Sequence, residues 1–456
     1  MDINKNYFSD GRGEDFKEIG QPRQRADTFG HVKGATQFYA DRNVAGLLHL
    51  CMVRSPHHHA RILRIDTSAA QRHPGVKQII TAKDVPHNVY TVLNLINFGP
   101  EDEPVLAFDK VRWRGEPVVA VIADRERSAQ EGAALVRVDY EELPAVFDVE
   151  EALKAGAPLV NEYHGQNYYR YDSGESRKVK LGDVETALRE ADYILEERYD
   201  SSPIEHAPLE TTGCIVVPDQ NNRLICYTGT QAIFFTLDNA SIILGMPPHR
   251  LHFVGGTAGG GFGGKVDCTV EPITLLAAML TGRPVAFIYN RYEEMQISSP
   301  RAAERIYLKD GVMKDARIVA RQVRLYVDSG AYSRHSPYGT QKAAAHFPGP
   351  YTIPNVQIDC YCVYTNRTPS SAMRGFGVTI ADFALEVQMD KLARLVGIDP
   401  LEFRFINAYR DGDMKAHHQL TEGAALIECM QEASVWANWP VDPRVLRMSS
   451  RERRTG

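Results

Sequence analysis

Long apolar runs are missing from this 456-residue chain. None approaches the ~20 residues a membrane-spanning helix needs. The first residues, Met1-Asp2-Ile3-Asn4-Lys5, lack the apolar core of a secretion signal. A twin-arginine signal is also missing. Cysteines are few and unpatterned, at positions 51, 214, 226, 268, 360, 362 and 429. An odd, scattered set fits reduced thiols, so a cytoplasmic location is expected. No CxxC occurs, which leaves no recognisable iron–sulfur or structural zinc site in this chain. A net charge of −6 supplies no general attraction to nucleic acid or anionic membrane, and neither is expected as a partner. No Ser-His-Asp or Cys-His arrangement stands out by spacing.

Glycine, by contrast, is concentrated. Gly259-Gly260-Gly261-Phe262-Gly263-Gly264-Lys265 places five glycines in six consecutive positions, interrupted by one aromatic ring. A tight turn uses one or two. So many positions free of Cβ suit a loop that presents backbone N–H groups to a bulky anionic or oxo-rich ligand. The bland alternative is a flexible linker. Against it, Leu251 to Val254 reads as a strand before the loop and Ile273 to Leu280 as a helix after it. Gly259, Gly264 and Lys265 also have the spacing of a nucleotide-binding P-loop. That motif continues with Ser or Thr to hold magnesium, and here Val266 follows, so a nucleotide triphosphatase is discarded.

Along the chain, residues 1–20 are polar and read as a flexible N-terminus. Residues 21–145 alternate strand and helix, as Ile62–Ile65, Thr67–Arg72 and Val76–Ile80, then Val118–Ala123, Arg127–Leu135 and Val136–Tyr140. Two strand–helix–strand units suggest one compact domain. Residues 146–180 read as a connector whose tyrosines cover a neighbouring surface. A second domain is expected over 181–425, with residues 426–456 as a C-terminal tail. Its long helix, Thr379 to Val396, carries Leu385, Met389, Leu392 and Val396 on one face. Asp399 and Glu402 have the spacing of a capping box around Pro400.

Few other residues invite chemistry. Gln231 ends a strand, where its amide can donate to a ligand oxygen or satisfy a turn. Arg374-Gly375-Phe376-Gly377 is a second glycine-flanked aromatic, before the long helix. The two Gly-Phe-Gly units could clamp a flat ring between them, or be independent core aromatics. His57-His58-His59 alternates faces and cannot converge on one metal, so it reads as an exposed, non-functional stretch. Glu205-His206 could be an acid/base pair, but sequence neighbours rarely face each other, so it reads as structural or as a support for residues that meet the ligand.

These landmarks, in this order, resemble the molybdenum-cofactor subunit of the xanthine oxidase family. The resemblance runs from Gly30-His31-Val32-Lys33-Gly34-Ala35-Thr36 to about Arg410. It includes Arg54-Ser55-Pro56-His57, Arg114-Gly115-Glu116-Pro117-Val118, Glu205-His206, Thr230-Gln231, the glycine loop, and Ala372-Met373-Arg374-Gly375-Phe376-Gly377. It implies an α+β fold: an N-terminal α/β-hammerhead domain followed by the first molybdopterin-binding domain. It also implies roles. Gln231, Gly261, Phe262, Gly263 and Arg374 would bind the cofactor. Gln231, Phe262 and Arg374 would lie near molybdenum without ligating it through their side chains. Phe262 and Gly263 would turn backbone N–H groups toward the cofactor. Phe376, Lys342 and Val266 would meet the substrate.

Departures from the family narrow the expectation. Xanthine-oxidising members carry a purine-binding glutamate where Val266 stands and an arginine where Lys342 stands. No cysteine lies near Arg374, which argues against carbon monoxide oxidation. The second molybdopterin-binding domain, with the base glutamate, is not in this sequence, so no catalytic residue is expected in this chain. The resemblance to split nicotinate dehydrogenases implies a separate subunit bearing that domain, with iron–sulfur and FAD subunits. The expected reaction places a water-derived hydroxyl on an N-heteroaromatic ring, nicotinate- or purine-like. The expected cofactor is molybdopterin with molybdenum, the cytosine dinucleotide being one form. An aldehyde oxidoreductase subunit and a truncated, non-catalytic remnant that binds a partner are the alternatives.

Overall fold

The computed structural model describes residues 22–452; the expectation for residues 1–20 lies outside them. Two large sheets organise the chain. The first has seven strands in the order Leu251–Gly255, Leu224–Thr228, Gly213–Pro218, Val285–Ile288, Leu48–Arg54, Pro117–Ala123 and Val76–Ile80. The second has five, in the order Tyr193–Ser201, Glu304–Val312, Ile318–Gly330, Asn355–Tyr364 and Arg177–Leu181. A three-stranded sheet joins Lys110–Val111, Ala60–Asp66 and Arg137–Glu142. The architecture is α+β, as expected.

The N-terminal segment does not fold as two strand–helix–strand repeats. Ala60–Asp66 pairs with Arg137–Glu142 in the small sheet, while Val76–Ile80 pairs antiparallel with Pro117–Ala123 in the large one. Burial explains the split. Pro117–Ala123 is buried along nearly its whole length, as a central strand must be, whereas Arg137–Glu142 alternates charge and half-burial. Leu48–Arg54 runs parallel to Val285–Ile288. The boundary drawn at 145 and 181 therefore divides the sequence but not the sheet.

Helix Glu271–Thr281 lies in the core of the first sheet. Ile273, Leu275 and Leu276 are all but inaccessible, and each such side chain contributes about 1.5–3 kcal/mol on burial. Gly282, in the left-handed region at φ 62°, ends it. Val378–Val396 lies on the second sheet through Leu385, Met389 and Leu392, and Gly397 ends it. Asp399 caps the next helix, Pro400–Asn407, by accepting from the amides of Leu401 and Glu402. The capping box is not completed, because Glu402 instead accepts from the Asp442 amide at 2.9 Å.

That bond is part of a larger correction. Residues 426–452, expected as part of a C-terminal tail, are packed onto the domain. Helix Leu426–Trp436 packs Ile427 against Phe405 and Val445. Ser450 is fully buried and its carbonyl accepts from the Asp411 amide. The connector is also packed, with Tyr171 buried and its hydroxyl donating to the Pro337 carbonyl at 3.0 Å.

Candidate functional site

The glycine loop leaves the first sheet after Leu251–Gly255. The Arg374 loop leaves the second sheet after Asn355–Tyr364. They meet main chain to main chain: the Arg374 amide donates to the Phe262 carbonyl at 2.8 Å. A Cβ at Gly263, where φ is +101°, would lie 2.7 Å from the Ala372 carbonyl oxygen. Only glycine permits that approach.

Gln231 follows strand Leu224–Thr228 and is fixed by its own backbone, whose amide donates to the Lys265 carbonyl at 2.8 Å. Its side-chain Oε1 accepts from the amides of Gly263 at 2.9 Å and Lys265 at 3.4 Å. A Cβ at Gly261 would sit 2.4 Å from that oxygen. The Gly263 amide is thus held by Gln231 rather than turned outward. Within the loop 259–265, the amides with no partner among the described residues are those of Gly260, Gly261 and Phe262, a consecutive run. Because Oε1 is occupied, Gln231 keeps Nε2 as a free donor. The Arg374 guanidinium likewise meets no partner among the described residues, and Gln231, Phe262 and Arg374 are all exposed.

Lys265 settles the P-loop question. It is 4% exposed, and its ammonium pairs with Glu210 at 3.1 Å. Glu210 also accepts from the Gly259 amide at 2.8 Å. The lysine fastens the loop from behind and is not presented to a phosphate.

The two aromatic rings differ from the expected clamp. Phe262 is 49% exposed, with φ at 52°. Phe376 rests on helix Ser336–His346, its ring 5.9 Å from Tyr338 and 5.3 Å from the Lys342 ammonium. No ring contact joins Phe262 to Phe376. The structure does bring Lys342 and Phe376 together, a cation beside an aromatic face. Val266 is half-buried at the foot of the loop, its amide on the Gly263 carbonyl at 3.3 Å.

Beneath these loops lies a buried network that the sequence did not reveal. Asp267 accepts from Ser371 at 2.7 Å and from Ser299, and pairs with His335 at 2.8 Å. Burial works against its charge, yet the His335 hydrogen bond and charge, with Arg334, hold the carboxyl well below its ordinary value. Arg334 forks onto Glu103 at 2.6 and 2.9 Å. One carboxylate thus ties the end of the glycine loop to the helix bearing Lys342 and the start of the Arg374 loop. The only sequence signal was an aspartate two residues beyond Lys265 in an otherwise apolar stretch.

Glu205 and His206 make contacts within the fold, and also approach each other at 3.8 Å. His206 donates from Nε2 to the Ala372 carbonyl at 2.9 Å, and Glu205 accepts from Ser298 at 2.7 Å. Burial lowers the His206 pKa. The three consecutive histidines diverge onto Glu142, the Asn366 carbonyl and the Pro144 carbonyl, and His59 is buried rather than exposed. Among the described residues, no group of His, Cys, Asp and Glu could hold a metal ion. The open amides of 260–262, the free Gln231 donor and the free Arg374 cation fit an anionic, oxygen-rich cofactor. No helix among the described residues is long and apolar enough to cross a membrane.

A family profile described as "Molybdopterin cofactor-binding domain" matches residues 161–408, and one described as "Aldehyde oxidase and xanthine dehydrogenase, a/b hammerhead domain" matches residues 33–144. The chain belongs to the molybdopterin-binding family of aldehyde oxidases and xanthine dehydrogenases. It is 32% identical over 92% of its length to the nicotinate dehydrogenase large molybdopterin subunit of Eubacterium barkeri, covering 96% of that protein. It is 32% identical to a probable xanthine dehydrogenase subunit of Bacillus subtilis, covering 90% of this chain and 54% of that one. It superposes on the aldehyde oxidoreductase from Desulfovibrio gigas with a TM-score of 0.85 at 32% identity, over 91% of this chain and 46% of that one. The chain thus spans nearly all of the first relative and about half of the other two.

Proposed function

We propose that this chain is the larger molybdopterin-binding half of a hetero-oligomeric hydroxylase acting on a carboxylated N-heteroaromatic ring such as nicotinate. The observation that carries this reading is the joined pair of loops. Gln231 Oε1 is spent on ordering the Gly263 and Lys265 amides, so Nε2 is left to face a ligand beside the unpaired Arg374.

Molybdopterin, as the cytosine dinucleotide in one form, would supply the redox-active metal and accept two electrons from the ring. The chain's own residues bind and orient. The Gly260–Phe262 amides and Gln231 Nε2 would donate to the cofactor, and Arg374 would balance its negative charge. Phe376 would hold the ring of the substrate and Lys342 its carboxylate. Val266 offers no carboxylate to a purine. The base, the iron–sulfur clusters and FAD would come from separate subunits. The open face bearing Gln231, Phe262 and Arg374 is where a second molybdopterin-domain subunit would close over the cofactor. The seven free thiols fit a reducing cytoplasm.

Purification from the native host tests this directly. Stoichiometric molybdenum with a second molybdopterin-domain polypeptide and nicotinate turnover is the expected result. A lone chain without metal would sink it. The isolated chain should be inactive. Lys342→Ala should raise KM for nicotinate about tenfold with little change in kcat, the loss of one charge-assisted contact. An aldehyde oxidoreductase would be indifferent to that change, since an aldehyde carries no carboxylate.

A further inference from the structure

Under the Arg374 loop lies a carboxyl group that the proposed chemistry does not use. Glu304 opens strand Glu304–Val312 and is 5% exposed. Its amide donates to Ser201 Oγ at 3.1 Å. Its Oε2 is buried and meets no donor among the described residues. A bare ionised oxygen is costly in such a place. Burial pushes the carboxyl up to about 8, with the Arg301 charge opposing.

Arg301 is buried three residues earlier, and its Nη2 donates to the Arg374 carbonyl. Glu304 and Arg301 line one cavity of about 20 Å³, with Met373 and Phe376 of the loop and Ser336 of the neighbouring helix. That is room for about one water. The cavity joins the carboxyl, the guanidinium and the underside of the loop.

We propose that Glu304 is a positioning residue that acts through Arg301 to set how firmly the Arg374 loop is held. With Glu304 neutral, the guanidinium is left to the Arg374 carbonyl, the arrangement the structure shows. With Glu304 ionised, its Oε2 competes for the same guanidinium across the cavity, and the loop loses one of its anchors, keeping Thr379 on the Arg374 carbonyl and Ser371 on Asp267. The Arg374 amide is bonded to the Phe262 carbonyl, so the junction of the two loops loosens in step, while Gln231 and Glu210 still hold the glycine loop. Besides Arg301, the titratable groups in reach are Cys360 on strand Asn355–Tyr364, whose thiol burial keeps neutral, and His206, which faces Arg301, holds the Ala372 carbonyl of the loop and has its pKa lowered by burial. Ser336 and Ser371, which close the cavity from the other elements, carry no charge. The inference concerns the loop itself and stands whichever substrate the site takes.

The sign follows from linkage. A carboxyl held above its ordinary value favours the anchored loop at low pH, and that advantage is lost as pH rises to the folded value. Hydrogen exchange of the 371–377 amides tests it, in the full chain as purified with any accompanying subunits and corrected for intrinsic rates. Protection should fall by up to about tenfold per pH unit, the limit for one linked proton. It should level off above the Glu304 value of about 8. Glu304→Gln should hold protection constant across that range, while helix Glu271–Thr281 should not respond in either protein. Wild-type protection that ignores pH, or a Glu304→Gln protein that tracks wild type, would overturn the proposal. Should that variant fail to fold, infrared spectroscopy of the wild type decides. A protonated-carboxyl band lost in step with loop protection supports the proposal. A band lost in the ordinary carboxylate range overturns it.

Discussion

The chain contains Gly-Phe-Gly twice, and the two copies live differently. At Gly261-Phe262-Gly263 the ring is half exposed, and the backbone around it is fastened from below by Gln231, Lys265 and Glu210. At Gly375-Phe376-Gly377 the ring is laid on helix Ser336–His346 beside Lys342. The first unit is a backbone device with a ring attached. The second is a ring held in place by a backbone. Identical local sequence gives them the same conformational freedom, with φ of 52° and 28° at the two phenylalanines. What each becomes is decided by partners brought from elsewhere in the chain, Gln231 and Glu210 for the first and Lys342 for the second.

Removing what the two units share should have the largest effect. Asp267→Asn strips the buried partner from His335 and weakens the hold on Arg334, and should cost roughly 3–5 kcal/mol in urea unfolding. The wild-type contribution is present above the ordinary aspartate value of 3.8 and is lost as pH falls through the lower folded value. A loss confined to one loop, read by hydrogen exchange, would break the idea of a common footing. Next, Gly377→Ala would place a Cβ 2.1 Å from the Gly339 carbonyl oxygen at φ +82°. It should cost about 2–3 kcal/mol, since backbone would have to move. Gly263→Ala should cost less stability, because its loop is exposed, yet should part the loops and abolish molybdenum retention. Phe376→Ala should cost about 2 kcal/mol, below the loss at a fully buried ring because Phe376 is half-buried. Phe262→Ala should cost under about 1 kcal/mol, as exposed positions do. Equal losses at the two phenylalanines would erase the distinction.

Much of this was legible in the sequence because it is local. Helix Val378–Val396, its glycine stop and the Asp399 cap follow from spacing within a few residues. The glycine loop announces itself by composition. Gln231 and Lys342 were reached through their place in a family pattern. What escaped was non-local. Asp267 and His335 are joined across 68 positions, and Arg334 and Glu103 across 231. No periodicity marks such partners. The packing of residues 426–452 escaped for a related reason: only the polar end from Met448 looks solvated, and nothing local shows that Ile427 and Val445 upstream find Phe405. The direction of the Gly263 amide also escaped, since a glycine run shows that backbone is on offer but not to whom.

The pairing of Leu48–Arg54 with Val285–Ile288 has a consequence for how the protein is made. The early strands, Leu48–Arg54, Val76–Ile80 and Pro117–Ala123, can pair with one another as soon as they leave the ribosome. Leu48–Arg54 then waits with one flank unpaired until Val285–Ile288 has been synthesised. An open, apolar flank is a template for unwanted strand addition, and a contact this distant in sequence forms late. The nascent chain therefore passes through a long interval in which it invites aggregation or a chaperone. Expression should respond to translation speed between those two strands more than to changes near the glycine loop.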